Sequence, residues 1–185
     1  MSATRESYVF FELAGGVYAI ASQSVQHIEM YEQVTLVPNA NPAIDGVVYS
    51  RGQVIPALNL RRRFGFPKQE KTPRSRIIFV RANERTVGLI VDSAREFQNL
   101  PVESIRPIEE ALTGINGKYL KAVAKAGERL VLILDLEAVL NVATARSPLE
   151  QESIGIEGNA PGHGASPGER TGAAGSSDSA ATHAS

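Results

Sequence analysis

Two stretches of this chain, 46–61 and 122–137, repeat one pattern, and that likeness constrains the fold more than any other feature. Gly46-Val47-Val48-Tyr49-Ser50-Arg51-Gly52-Gln53-Val54-Ile55-Pro56-Ala57-Leu58-Asn59-Leu60-Arg61 is echoed by Ala122-Val123-Ala124-Lys125-Ala126-Gly127-Glu128-Arg129-Leu130-Val131-Leu132-Ile133-Leu134-Asp135-Leu136-Glu137. In each, an apolar strand enters a Gly-containing polar turn, a second apolar strand returns, and Asn59 or Asp135 stands before leucine as a helix N-cap. Upstream, Val17-Tyr18-Ala19-Ile20 leading to Val25-Gln26-His27-Ile28 resembles Val87-Gly88-Leu89-Ile90-Val91 leading to Ala94-Arg95-Glu96-Phe97. The chain reads as a tandem duplication of a small β-unit. Two copies, each too small to bury much apolar surface alone, are expected to share a core and to leave a groove between them.

The rest of the sequence narrows the class. Hydrophobic residues make up 43% and charged residues 21%, with a formal net charge of -1, so no global field points to nucleic acid or to an anionic membrane. The absence of cysteine removes disulfides, thiolate catalysis and zinc–thiolate sites and suits a reducing compartment, so a cytoplasmic location is expected. Residues 1–7 lack the apolar core of a signal peptide, and no apolar run is long enough to span a bilayer.

Local signals give a mainly β order. Tyr8–Leu13 and Val17–Ile20 read as strands around Ala14-Gly15-Gly16; over Val25–Tyr31 a helical turn and a strand both stay open; Thr35–Val37 reads as a strand ended by Pro38 and Pro42. The hairpin with Arg51 and Gly52 at its tip comes next, then a short basic helix over Leu60–Phe64 stopped by Gly65 and Pro67. A polar junction near 66–75 hands over to the second copy: strands at Arg76–Val80 and Val87–Val91, an irregular stretch over 100–116 with room for one helical turn, the hairpin over Ala122–Leu134 and a helix over Leu136–Val142. Residues 8–142 form the expected domain. From about Pro148 to Ser185 the chain is rich in Gly, Ala, Ser and Pro and reads as a disordered tail.

Chemistry-bearing constellations are scarce. His163 and His183 lie in the tail, leaving His27 within the fold; no serine sits in a nucleophile elbow, no glycine pattern cradles a phosphate, and no cluster has metal-ligand spacing. The expectation is a non-catalytic binding protein without cofactor or metal. Arg51 at its hairpin tip, with Gly52 supplying the positive φ of a tight turn, is the first binding candidate, although a solvated turn arginine has the same signature. Arg61-Arg62-Arg63 with Lys68 and Lys71 is the second, and balanced charge makes it read as the wet face of a short helix. His27 reads most simply as a surface hydrogen-bonder.

An ordered series of short pieces carries a resemblance: Val25-Gln26-x-Ile28, Val37-Pro38, Ile44-x-Gly46-Val47, Arg51-Gly52-x-Val54-Ile55-Pro56, Leu60-Arg61, Gly88 to Asp92, Tyr119-Leu120-x-Ala122-Val123 and Leu134-Asp135-Leu136. Over Tyr8 to about Val142 it resembles the CheW family of chemotaxis coupling proteins. The resemblance implies two five-stranded SH3-like β-barrel subdomains around a shared hydrophobic core. It also implies a scaffold joining a CheA-type histidine kinase, through its regulatory domain, to the cytoplasmic tips of chemoreceptors, recruited to receptor arrays without entering the membrane. On that reading a receptor helix enters the groove between the barrels. Val25, Ile28 and Val91 supply apolar contact, Arg51 a multidentate cation held by Gly52, and His27 a further contact; the edges meeting the kinase are not assigned.

Three positions depart from the family pattern. His27 stands where glutamate is usual, Ser50 where leucine is common, and Asn59 where aspartate is usual. They suggest a receptor tip of different chemistry, and with it an adaptor of a non-flagellar chemosensory pathway controlling surface motility or gene expression. From another class, a small-barrel nucleic-acid binder is the rival; the basic run lacks interleaved aromatics beyond Phe64 and Phe66 and disfavours it.

Overall fold

The computed structural model describes residues 4–108 and 117–141; the tail expected over 148–185 lies outside them. Among the described residues eleven strands follow in chain order: β1 (Arg5–Leu13), β2 (Gly16–Ala21), β3 (Val25–Met30), β4 (Ile44–Ser50), β5 (Gln53–Asn59), β6 (Arg76–Ala82), β7 (Arg85–Val91), β8 (Ser93–Pro101), β9 (Ile105–Pro107), β10 (Leu120–Ala126) and β11 (Arg129–Leu134). Two short helices, α1 (Leu60–Arg63) and α2 (Leu136–Leu140), each follow the hairpin of one repeat. Asn59 Oδ1 accepts from the Arg62 N–H at 3.2 Å and Asp135 Oδ1 from the Ala138 N–H at 3.1 Å, so both anticipated caps form. The ambiguous stretch after Ser24 resolves as strand β3. Thr35–Val37 does not form a strand: Thr35 makes an isolated bridge to Val47, because the prolines at 38 and 42 leave no length of ladder to extend it.

The strands assemble into a five-stranded sheet ordered β3-β6-β7-β5-β4 and a six-stranded sheet ordered β8-β1-β2-β11-β10-β9, the sixth strand being the short β9. Aligning the repeats pairs β1 with β6, β2 with β7, β3 with β8, β4 with β10 and β5 with β11, and the two sheets then have the same order. Each sheet is built from the first hairpin of one repeat and the last strands of the other. The repeats have exchanged their opening hairpins. Matching parallel contacts seal both exchanges: Tyr18 beside Leu132 and Ala19 beside Ile133 in one sheet, Ala57 beside Gly88 and Leu58 beside Leu89 in the other.

Exchange explains the near-continuous apolar runs. β1 and β6 are covered on both faces, as strands reading Tyr8-Val9-Phe10-Phe11 and Ile77-Ile78-Phe79-Val80 require. Tyr8 and Phe10 fill the interior of the six-stranded sheet with Leu100, Val131 and Ile133, while Ile77 and Phe79 fill that of the five-stranded sheet with Val48, Ile55 and Ile90. Val9, Phe11, Ile78 and Val80 point the other way, into a core common to both sheets. There Phe64 stacks on Tyr119 with ring centroids 5.1 Å apart, and Phe11 on Tyr18 at 5.7 Å. The contact between the two sheets is filled by the chain's own aromatic and aliphatic side chains, the shared core that the duplication leads us to expect.

Candidate functional site

The β4–β5 hairpin turns through Arg51 (φ 50°) and Gly52 (φ 80°), both left-handed, the backbone of a two-residue I′ turn. No neighbouring atom lies within 4 Å of where a Gly52 Cβ would sit, so its backbone angle, not space, calls for glycine. Arg51 is exposed at the tip and has no acceptor among the described residues. Just behind it, Tyr49 and Val54 face each other across the ladder, 77% and 67% exposed.

The edge strand β3 passes beside this hairpin. Ser50 donates its hydroxyl proton to Glu29 Oε1 at 2.7 Å, and His27 Nε2 lies 3.1 Å from both Ser50 Oγ and Glu29 Oε1. With the only Ser50 proton given to Glu29, Nε2 carries the imidazole proton and donates into the pair. Among the described residues His27 Nδ1 is buried without a partner, and the ring stacks on Phe79 with centroids 4.4 Å apart. Although Ser, His and Glu come together, they do not form a nucleophile relay. Glu29 meets the same nitrogen that faces Ser50, so no acid orients the imidazole from Nδ1. Beside them a cleft of about 440 Å³ is lined by Glu29, Met30, Glu32 and Tyr49, among others.

The anticipated site residues separate into groups. His27, Arg51 and Gly52 share the end of the five-stranded sheet, His27 reaching Ser50, the residue before Arg51. A register shift between Val25 and His27 places Val25 and Ile28 opposite Val80 and Ile78, half-buried against the shared core. Val91 is 1% exposed inside that core and offers no surface to a partner; its apolar character serves packing. Glu29, which sequence reasoning missed, joins the group because β3 and β4 meet through side chains, a contact no local spacing announces.

The basic run is spent internally. Arg61 makes two bonds of 2.7 Å to Asp92, through Nε and Nη2, and Arg62 Nη1 reaches Asp45 at 2.9 Å. Arg63 donates to the carbonyls of Ala138, Val139 and Asn141, satisfying the open end of α2 from the other repeat. Burial pushes the Asp92 carboxyl up, but Arg61 and the Ala14 N–H outweigh it and hold the group below the usual carboxylate range. Glu12 is held low chiefly by the Ser93 hydroxyl, against opposing burial, with Arg95 and Arg74 adding to the effect. Asn59 stands apart from His27 and Ser50: its amide donates to Asp45 at 2.8 Å, where an aspartate would set two carboxylates against each other.

Paired SH3-like sheets around one core, with an exposed hairpin tip and the basic run bonded internally, define a small two-sheet β scaffold. The CheW-like domain family matches residues 7–144, and the chain belongs to that family of chemotaxis scaffold proteins. It is 31% identical over 150 residues to the chemotaxis protein CheW of Bacillus subtilis strain 168, covering 81% of this chain and 96% of that protein. Against the chemotaxis protein CheW of Klebsiella aerogenes it is 30% identical over 136 residues, 74% of this chain and 82% of that protein. The crystal structure of the scaffolding protein TtCheW from Thermoanaerobacter tengcongensis superposes with a TM-score of 0.69 at 29% identity, covering 75% of this chain and 94% of that one. No helix among the described residues is long and apolar enough to cross a membrane.

Proposed function

We propose that this protein is a non-catalytic coupling scaffold that binds the regulatory domain of a CheA-type histidine kinase and the cytoplasmic tip of a chemoreceptor, holding the two in one assembly. The observation that carries the reading is that the family match spans both repeats, and so the whole two-sheet body, with 96% of the Bacillus subtilis relative covered. The receptor face is the end of the five-stranded sheet around Arg51, Gly52 and His27, with the half-buried rims of Val25 and Ile28 beside it. Docking there uses an exposed cation and flanking apolar side chains, the elements by which a groove or rim reads a helix.

The test is reconstitution. The full chain, a CheA-type kinase and a soluble receptor signalling fragment are expected to co-elute as a ternary complex, with the kinase and the receptor fragment eluting apart when this protein is omitted. A chain that binds neither the kinase regulatory domain nor the receptor fragment overturns the proposal. The contact between His27 and Ser50, both departures from the common pattern, favours a receptor tip of its own chemistry and thus an adaptor of a dedicated chemosensory pathway. Parallel titration with fragments from several receptors of the source organism distinguishes that reading by a preference for one of them.

A further inference from the structure

We infer that His27 and Ser50 are positioning residues that hold the Glu29 carboxylate away from Arg51, keeping the guanidinium free for a carboxylate side chain on the docking helix. The inference rests on the receptor-face reading above and adds the chemistry of the group recognised.

The geometry sets a competition. Glu29 Oε1 lies 2.7 Å from the hydroxyl of Ser50, and Arg51 is the next residue, one Cα step away on a side chain long enough to turn back. Released from Ser50, the Glu29 carboxylate becomes a competitor for the guanidinium, since the planar fork of arginine matches a carboxylate in two parallel bonds. Instead Oε1 accepts from Ser50 and from His27 Nε2. His27 is itself fixed, stacked on Phe79 and 11% exposed at its side chain, so its donor points at one place. The left-handed turn carries the Arg51 backbone outward, and its side chain ends in solvent with no acceptor among the described residues. Other arginines near acids in this fold do pair: Arg61 with Asp92, Arg62 with Asp45, Arg74 and Arg95 with Glu12.

A guanidinium left unpaired is available to a partner without first breaking an internal bond. Were Glu29 to take it, every docking event would be reduced by the fraction of molecules in the self-paired state. His27 and Ser50 therefore act through Glu29 on Arg51, and what they tune is recognition of a negative group.

Two measurements test this. The first needs no receptor: the Arg51 Nε–Hε resonance of the full chain is followed by NMR at rising NaCl. In the wild type it should be insensitive to Glu29→Gln. In Ser50→Ala it should shift in a salt-dependent way, as expected for a new exposed ion pair, and Ser50→Ala/Glu29→Gln should abolish that shift. A resonance that does not respond to Ser50→Ala, or one whose response survives Glu29→Gln, overturns the inference, while the scaffold reading stands on reconstitution alone.

The second measures affinity of the full chain for a soluble receptor signalling fragment. Ser50→Ala is expected to weaken binding about two- to fivefold, the range of an exposed ion pair, and to have no effect in the Glu29→Gln background. Restoration by Ser50→Thr, which keeps the hydroxyl, separates positioning from packing. Equal loss with and without Glu29 makes Ser50 structural and overturns the inference.

Discussion

Asp92 ties three separate parts of the chain together, and removing it should show how the exchanged hairpins are held. Its Oδ1 and Oδ2 accept from Arg61 Nε and Nη2 at 2.7 Å each, and Oδ2 also accepts from the Ala14 N–H at 2.8 Å. Ala14 belongs to the opening hairpin of the first repeat and Arg61 to its helix, while Asp92 follows β7 of the second repeat. The two side chains are 16% and 23% exposed. Exposed pairs contribute about 0.2–1 kcal/mol, and breaking buried ones costs about 3–5 kcal/mol. A pair this far covered falls between, so Asp92→Ala should cost about 2 kcal/mol, including the lost bond from the exposed Ala14 N–H. With a urea slope of roughly 1.5 kcal/mol/M, the unfolding midpoint drops by about 1.3 M. A double-mutant cycle with Arg61→Ala should return a coupling of about 1.5 kcal/mol. The pH dependence carries a sign. The folded carboxyl titrates below its unfolded value of about 3.9, so its contribution is present above that value and is lost as pH falls through the folded one. The wild-type advantage over Asp92→Ala should therefore be level from about pH 5 upward and shrink below about pH 4. Additive single mutants, or an advantage that persists undiminished in acid, would refute the reasoning.

Gly46→Ala should cost about 3–4 kcal/mol and lower the thermal midpoint by roughly 10 °C, because the new Cβ would sit 2.1 Å from the Thr35 carbonyl oxygen at a φ of 154°. Calorimetry on the variant checks it, and a midpoint within about 3 °C of wild type would show the 31–43 loop to be easily displaced. Arg51→Ala should leave stability within about 0.5 kcal/mol, as for an exposed turn residue without an internal partner, yet weaken receptor coupling; an unfolded variant would make Arg51 structural. Ending the chain after Pro148 is expected to preserve kinase and receptor binding in pull-down, and a large loss would give the segment a role.

The duplication was legible because turns and caps are local events. Arg51-Gly52, Asn83-Glu84 and the caps at Asn59 and Asp135 are written within a few residues of where they act. The exchange of hairpins was not, since pairing between similar strands is decided by which faces must be covered. Val17–Ile20 would satisfy a ladder in either sheet until the shared core claims Tyr18 and Ile20. The same limit explains Val91: an apolar residue ending a strand has one appearance whether it meets a partner or the core. The arginine run reads as a wet helical face because its acceptors, Asp92, Asp45 and the end of α2, lie 17 to 78 residues away. His27 and Ser50 stood out as departures from a pattern, but only their meeting with Glu29, across the join of β3 and β4, gives them a common task.

Exchange has a consequence for where such a scaffold can bind. When each repeat lends its opening hairpin to the other, β1 and β6 become central strands buried on both faces, and the inward surfaces of both sheets are consumed. The solvated periphery comprises the edge strands β3, β4, β8 and β9, the hairpin tip at Arg51, and the β10–β11 hairpin, where Leu130 is 68% exposed. Substitutions of the solvent-facing residues there leave the packing of Phe11, Phe64 and Tyr119 untouched, so the surface can change without loss of the fold. The internal symmetry also gives two corresponding tips of different chemistry. One carries Tyr49, Arg51 and Val54 beside Glu29; the other carries Lys125 and Leu130. Duplication followed by divergence of the tips thus gives one shared core two unlike hairpin ends, without building a second core.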